Sequence, residues 1–65
     1  MKIIVNGEPA DTGAGTLAEL LGELGLAEAI IATALNGAVV RAVKRSGTPI
    51  ADGDRVEILA PMQGG

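Results

Sequence analysis

Two Asn-Gly dipeptides, Asn6-Gly7 and Asn36-Gly37, each follow a β-rich run. Both central positions of a two-residue hairpin turn need a positive φ, and Asn-Gly meets that need better than almost any other pair. The spacing therefore predicts two β-hairpins. The first joins Met1–Val5 (MKIIV) to a return strand from Glu8 to Asp11 or Thr12. Pro9 has no N–H to give to a ladder, so this return strand is expected to be short or to lie at a sheet edge. The second hairpin joins Ile31–Leu35 to Ala38–Val43. A last strand, Arg55–Leu59, places Val56 and Ile58 on one face and Arg55, Glu57 and Leu59 on the other.

Between the hairpins lies a helix with readable ends. Thr16 and Glu19 form a T-x-x-E capping box. Leu17, Leu20, Leu21 and Leu24 make one apolar stripe at helical spacing, and Gly25 is placed to cap the end. Gly22 inside the helix costs about 1 kcal/mol relative to Ala. Leu26 to Ile30 reads equally as a helical turn or a loop, and Ser46 to Asp54 reads as loop. Glu19, Glu23 and Glu28 are expected to be solvated. A single leucine-striped helix needs a sheet to cover it. Met1, Ile3, Val5, Val56 and Ile58 supply the sheet face that meets it. The expected fold class is α+β, a mixed sheet packed on one main helix, which is the β-grasp arrangement of ubiquitin-like proteins. The expected organisation is one domain over residues 1–65, with a flexible tail at 61–65.

Composition narrows the chemistry. The 65 residues include no Cys, His, Phe, Tyr or Trp. That removes disulfides, thiolate nucleophiles, Cys-based metal sites and imidazole acid–base catalysis. It also removes the aromatic platforms on which single-stranded nucleic acid stacks. A net charge of −3 argues against nucleic acid and anionic membrane as partners. Ile3–Val5 is too short an apolar run for a leader, and no stretch reaches the length of a membrane span. The expected location is cytoplasmic. A chain this small spends most of its apolar residues on its core, so a substrate pocket of its own is not expected.

The sequence closes Pro61-Met62-Gln63-Gly64-Gly65. A terminal carboxylate is a poor electrophile and must be activated, for example as an acyl-adenylate, before a nucleophile takes the acyl group. An enzyme that does this must admit the terminus to a narrow site. Gly64 and Gly65 lack Cβ atoms and can approach such walls closely. A carboxylate on Gly65 would be ionised at neutral pH, ready to attack the α-phosphorus of ATP. A Gly-Gly pair alone is also what an incidental terminus can carry.

The ordered set MKIIVNGEP, TLAELLGELG, ATALNG, DGDRVEILAPM and QGG resembles the ThiS family, the small sulfur carriers of thiamine biosynthesis. The resemblance is spread over nearly the whole chain. It departs in Ala38–Ser46 (AVVRAVKRS), where many members carry a Pro or an aromatic. The resemblance implies a β-grasp fold and a cosubstrate without an active site of its own. Gly65 would be adenylated by a ubiquitin-activating-type adenylyltransferase. A sulfur donor such as a cysteine desulfurase would then convert it to a thiocarboxylate, and thiazole synthase would take the sulfur. No cofactor would be bound, and ATP would be used by the activating partner.

Other residues carry weaker signals. Ile4 and Leu59 fall on the sheet face away from the helix, on strands that are neighbours in a β-grasp fold. The two side chains are therefore expected to be adjacent, in an apolar patch beside Gly-Gly. With Met62 and Gln63 they are candidate partner-docking residues. Asp52, Asp54 and Glu57 are better read as turn and strand residues than as a metal site. Arg41, Lys44 and Arg45 are a basic cluster suited to solvent or to an acidic partner surface. The alternatives are the small subunit of molybdopterin synthase, a lysine-conjugated modifier, and a non-carrier interaction domain in which Gly-Gly is incidental.

Overall fold

The computed structural model describes residues 1–60. The tail expected at 61–65 lies outside the described residues. The elements are β1 (Lys2–Val5), β2 (Glu8–Asp11), α1 (Leu17–Glu23), β3 (Ala32–Leu35), β4 (Ala38–Val40), a 3-10 helix (Ala42–Gly47) and β5 (Arg55–Leu59). The sheet order is β2-β1-β5-β3-β4. β1 and β5 pair in parallel, and the other neighbours are antiparallel. This mixed sheet under one main helix is the expected β-grasp arrangement, with the last strand at its centre.

Both Asn-Gly turns form as their chemistry requires. Asn6 and Gly7 have φ of 50° and 82°, and Asn36 and Gly37 have φ of 51° and 86°. Pro9 lies in β2, an edge strand, where its missing N–H leaves no gap in a central ladder.

An α-helix of seven residues is too short to persist alone in water, so its ends and its packing must hold it. Thr16 Oγ1 accepts the Glu19 N–H at 3.2 Å, as the capping box predicts. The Glu19 carboxylate reaches one residue further than expected and accepts from Gly15 N at 2.7 Å. At the other end Gly25 adopts φ 75°. Leu26 N–H donates to the Leu21 carbonyl and Gly25 N–H to the Gly22 carbonyl, a Schellman closure. Leu17, Leu20 and Leu21 are buried, and Leu17 and Leu20 join Ile3, Ala14, Ile50 and Val56 in the core.

Several expectations need correction. Leu24, the last member of the stripe, is 44% exposed, because the helix has already ended there. Met1 is 42% exposed; β1 begins at Lys2, so Met1 lies beyond the sheet face that meets α1. The second return strand stops at Val40, and Ala42–Gly47 winds into the 3-10 helix. The cause is long-range. Arg45 donates from Nε to Thr33 Oγ1 at 3.0 Å and from Nη2 to the Ile31 carbonyl at 2.7 Å. These bonds turn the chain back over β3. Ile50, in a stretch read as loop, is only 7% exposed. Its N–H donates to Gly15 O, while Leu17 N–H donates to Thr48 O, so residues 48–50 run beside the start of α1. Glu23 is not simply solvated. Its carboxylate accepts from the buried Thr12 hydroxyl and from Gly13 N, tying the incoming loop to the helix.

Candidate functional site

β5 is the strand that leads to the tail, and three side-chain devices fix it. At its entry, Asp52-Gly53-Asp54 is a turn. Asp52 Oδ1 accepts from Lys2 N at 2.8 Å, and Asp54 Oδ2 accepts from Ala51 N at 2.8 Å. Gly53, at φ 88°, donates its N–H to Lys2 O. These carboxylates serve backbone N–H groups. The Asn36 side chain, which donates from Nδ2 to Asp54 Oδ1 at 3.0 Å, and the Ala51 N–H together hold the Asp54 carboxyl below its usual range.

The two asparagines of the hairpin turns reach β5 from opposite sides. Asn36 Oδ1 accepts from Arg55 N at 2.9 Å, at the start of the strand. Asn6 Oδ1 accepts from Ile58 N at 2.8 Å, near its end. Each amide thus continues a ladder past the last residue of its own strand. Sequence reading found these residues as turn formers and missed them as strand clips. The missing information was the strand order, which brings residue 6 beside residue 58.

The outer sheet face, away from α1, carries both described docking candidates. Ile4 is 36% and Leu59 is 68% exposed. The register separates them, however. Ile4 lies opposite Arg55, whereas Leu59 is four residues further along β5 and opposite Ala32. At about 3.3 Å per residue they stand about 13 Å apart along the strand. Leu59 belongs instead to a shallow groove of about 180 Å³ lined by Asn6, Ala32, Ala34, Val39 and Glu57. The small side chains of Ala32 and Ala34 form the floor that a larger residue would fill. Met62, Gln63, Gly64 and Gly65 lie outside the described residues.

The basic cluster is divided. Arg41 and Lys44 are exposed, and Arg45 is half-buried against β3 through the two bonds already described. No helix among the described residues is long and apolar enough to cross a membrane.

Comparison with known proteins agrees with this architecture. The crystal structure of the thiamine biosynthesis protein ThiS from Geobacter metallireducens superposes with a TM-score of 0.84 at 39% identity, covering all of both chains. A solution structure of a thiamine biosynthesis protein from the same organism gives a TM-score of 0.78 at 38% identity, covering all of this chain and 88% of that one. The sulfur carrier protein ThiS of Thermus thermophilus is 39% identical over 61 residues, spanning 94% of this chain and 95% of the relative. The model of the ThiS family matches residues 3–65, glycine pair included. The chain belongs to the ThiS family.

Proposed function

We propose that the protein is a sulfur carrier in the making of the thiazole ring of thiamine, with Gly65 as the group that carries sulfur. The observation that supports this most is the family match, which runs from β1 through the glycine pair. The chemistry follows from the terminus. A Gly65 carboxylate oxygen attacks the α-phosphorus of ATP in an adenylyltransferase, and pyrophosphate leaves. A persulfide sulfur from a donor such as a cysteine desulfurase then attacks the acyl carbon, and AMP leaves. Reduction of the S–S bond by a thiol releases the thiocarboxylate, which gives its sulfur to thiazole synthase. Gly64 lets the terminus enter each partner's site without side-chain clash. The domain itself supplies a handle and no catalytic group.

In this reading the Leu59 groove is where a partner grips the base of the tail, and Ile4 extends the contact across the sheet. Met62 and Gln63 continue it along the tail. The clips from Asn6 and Asn36 keep β5 in place while the tail is drawn into the partner.

The test uses the missing cysteines. The protein is incubated with its adenylyltransferase, ATP and a competent sulfur source, then treated with a thiol-directed alkylating agent. Labelling confined to the C-terminal peptide is expected, with an unlabelled mass increase of about 16 Da resolved from methionine oxidation by mass accuracy. Removal of Gly65 should abolish the labelling. No labelling of the full chain sinks the proposal.

A further inference from the structure

Charge is unevenly placed along this chain. From Ala29 to Ala51 there are three bases, Arg41, Lys44 and Arg45, and no acid. All eight acids lie outside that segment. The one ion pair among the described residues, Lys2 with Asp11, is on β1 and β2, away from this cluster. Arg45 is therefore a half-buried guanidinium with no carboxylate partner among the described residues. Taking a charge partly out of water without a counter-ion is unfavourable, and proteins normally pair such groups.

The geometry of Arg45 is specific. A guanidinium offers five N–H donors in a planar fork. The Nε and Nη2 side of the fork grips β3, through Thr33 Oγ1 and the Ile31 carbonyl. The Nη1 N–H groups have no acceptor among the described residues. Arg45 also lines a cleft of about 220 Å³ between α1 and the 3-10 helix, with Ser46 as the other polar wall. The remaining walls are Ala18, Leu21, Ala27 and Ala42. The guanidinium is held by two bonds before any ligand arrives, which lowers the ordering cost of binding.

We propose that this cleft is a carboxylate-binding site, taking the side chain of a Glu or Asp presented by a partner protein. The fit is chemical. The free end of the guanidinium presents parallel N–H groups that match two carboxylate oxygens. The four apolar walls suit the short methylene stem behind that carboxylate. A free phosphate would bring more acceptor oxygens than one guanidinium end and one hydroxyl can satisfy. The 3-10 helix side of the cleft comes from the acid-free segment and carries Arg41, Lys44 and Arg45, which favours a carboxylate there. The α1 side is flanked by Glu19, whose carboxylate is held on Gly15 N, and by Glu28, so an acidic partner is steered to the 3-10 helix side. The proposal stands on this cleft alone and does not depend on sulfur chemistry at Gly65.

The experiment is a titration of the ¹⁵N-labelled protein, observing the Arg45 Nε–Hε signal and the amides of Ala27, Ala42 and Ser46. The probes are a blocked Ala-Glu-Ala tripeptide, its Ala-Gln-Ala counterpart, inorganic phosphate, and sodium chloride at matched ionic strength. Saturable shifts confined to the cleft with the Glu peptide, absent with the Gln peptide and with chloride, are the expected result. Equal shifts with the Gln peptide, or none with the Glu peptide, overturn the proposal. A stronger response to phosphate than to the Glu peptide overturns the choice of a carboxylate. Arg45→Lys keeps the charge and removes the fork, and it should lose the response. Because Arg45 also holds β3, Ala27→Leu is the second variant. It leaves the arginine's two bonds in place and fills the cleft, and it too should lose the response. A response that persists in Ala27→Leu places binding elsewhere and overturns the site.

Discussion

The two hairpins begin from the same dipeptide and reach the same turn, yet they serve the sheet differently. In the first, β1 is central enough to bury Ile3 in the core, and β2 is a full-length partner of four residues. The loop beyond it is tied to α1 by Thr12 and Glu23. In the second, β4 has three residues, and Val39 stays exposed at the edge. The asparagines differ as well. Asn6 uses only its oxygen on β5, whereas Asn36 uses both ends of its amide, on Arg55 and on Asp54. A local signal thus fixes the turn, and the neighbours met across the sheet decide how much each turn holds.

That contrast can be broken at several depths. The largest effect is expected in the core. Ile3→Ala should cost about 2–5 kcal/mol, as deletion of a fully packed aliphatic does, and Val40→Ala, half-buried on the second hairpin, clearly less. Unfolding followed by far-ultraviolet circular dichroism measures both, since the chain has no aromatic reporter. Equal losses would mean that the two hairpins share the core evenly.

Next come the clips. Asn6→Ala and Asn36→Ala each put at positive φ a residue that lacks the short polar side chain by which Asn tolerates it, costing up to about 1 kcal/mol, and each removes one bond to β5 worth about 1 kcal/mol. Asn36→Ala should cost more, because it also frees Asp54. Amide exchange gives a local check: Ile58 should exchange faster in the first variant and Arg55 in the second. Substitution by Asp sharpens the difference. Asn6→Asp keeps its acceptor and should be nearly neutral. Asn36→Asp sets a carboxylate against Asp54 and should destabilise at neutral pH, with relief in acid.

A smaller effect is expected from pH alone. Asp54 is held below its usual range by Asn36 and by Ala51 N–H. A carboxyl depressed on folding contributes stability that is complete above its unfolded pKa of about 3.9 and is lost as pH falls through the lower folded value. Acid should therefore loosen the Asn36 side of β5 before the Asn6 side. Nuclear magnetic resonance of the Asn36 side-chain amide during acidification tests this, and simultaneous loss at Asn6 would contradict it.

The smallest change is a control. Gly22 is an exposed helix residue, and a Cβ there would meet nothing within 4 Å. Gly22→Ala should stabilise by up to about 1 kcal/mol and leave the difference between the hairpins unchanged.

What could be read from the sequence was local. Asn-Gly turns, the Thr16 cap and the leucine stripe act within a few residues, so their chemistry is written side by side in the chain. The β-grasp arrangement followed from one helix needing one sheet. What escaped depended on partners distant in sequence. Ala42-Val43 looked like strand until Arg45 found Thr33 and Ile31. Glu23 looked solvated because Thr12 lies eleven residues away. Ile50 sat among turn formers and gave no periodic signal. Ile4 and Leu59 were placed on the correct face, but the parallel register that separates them is not encoded in either strand alone. The tail chemistry proposed for Gly65 rests on the closing Gly-Gly motif and the family match, and the tail itself lies outside the described residues.

The position of β5 has a consequence for the order in which the molecule assembles. Each hairpin closes over a two-residue turn, so each can form within microseconds. Neither contains the sheet's centre. β5 must pair with β1 across about fifty residues of chain, and closing so long a loop is the slow, entropically costly step. The hairpins should thus exist as transient, separate ribbons until β5 inserts between them and the two halves become one surface. The strand that delivers the tail is also the one whose arrival completes the fold.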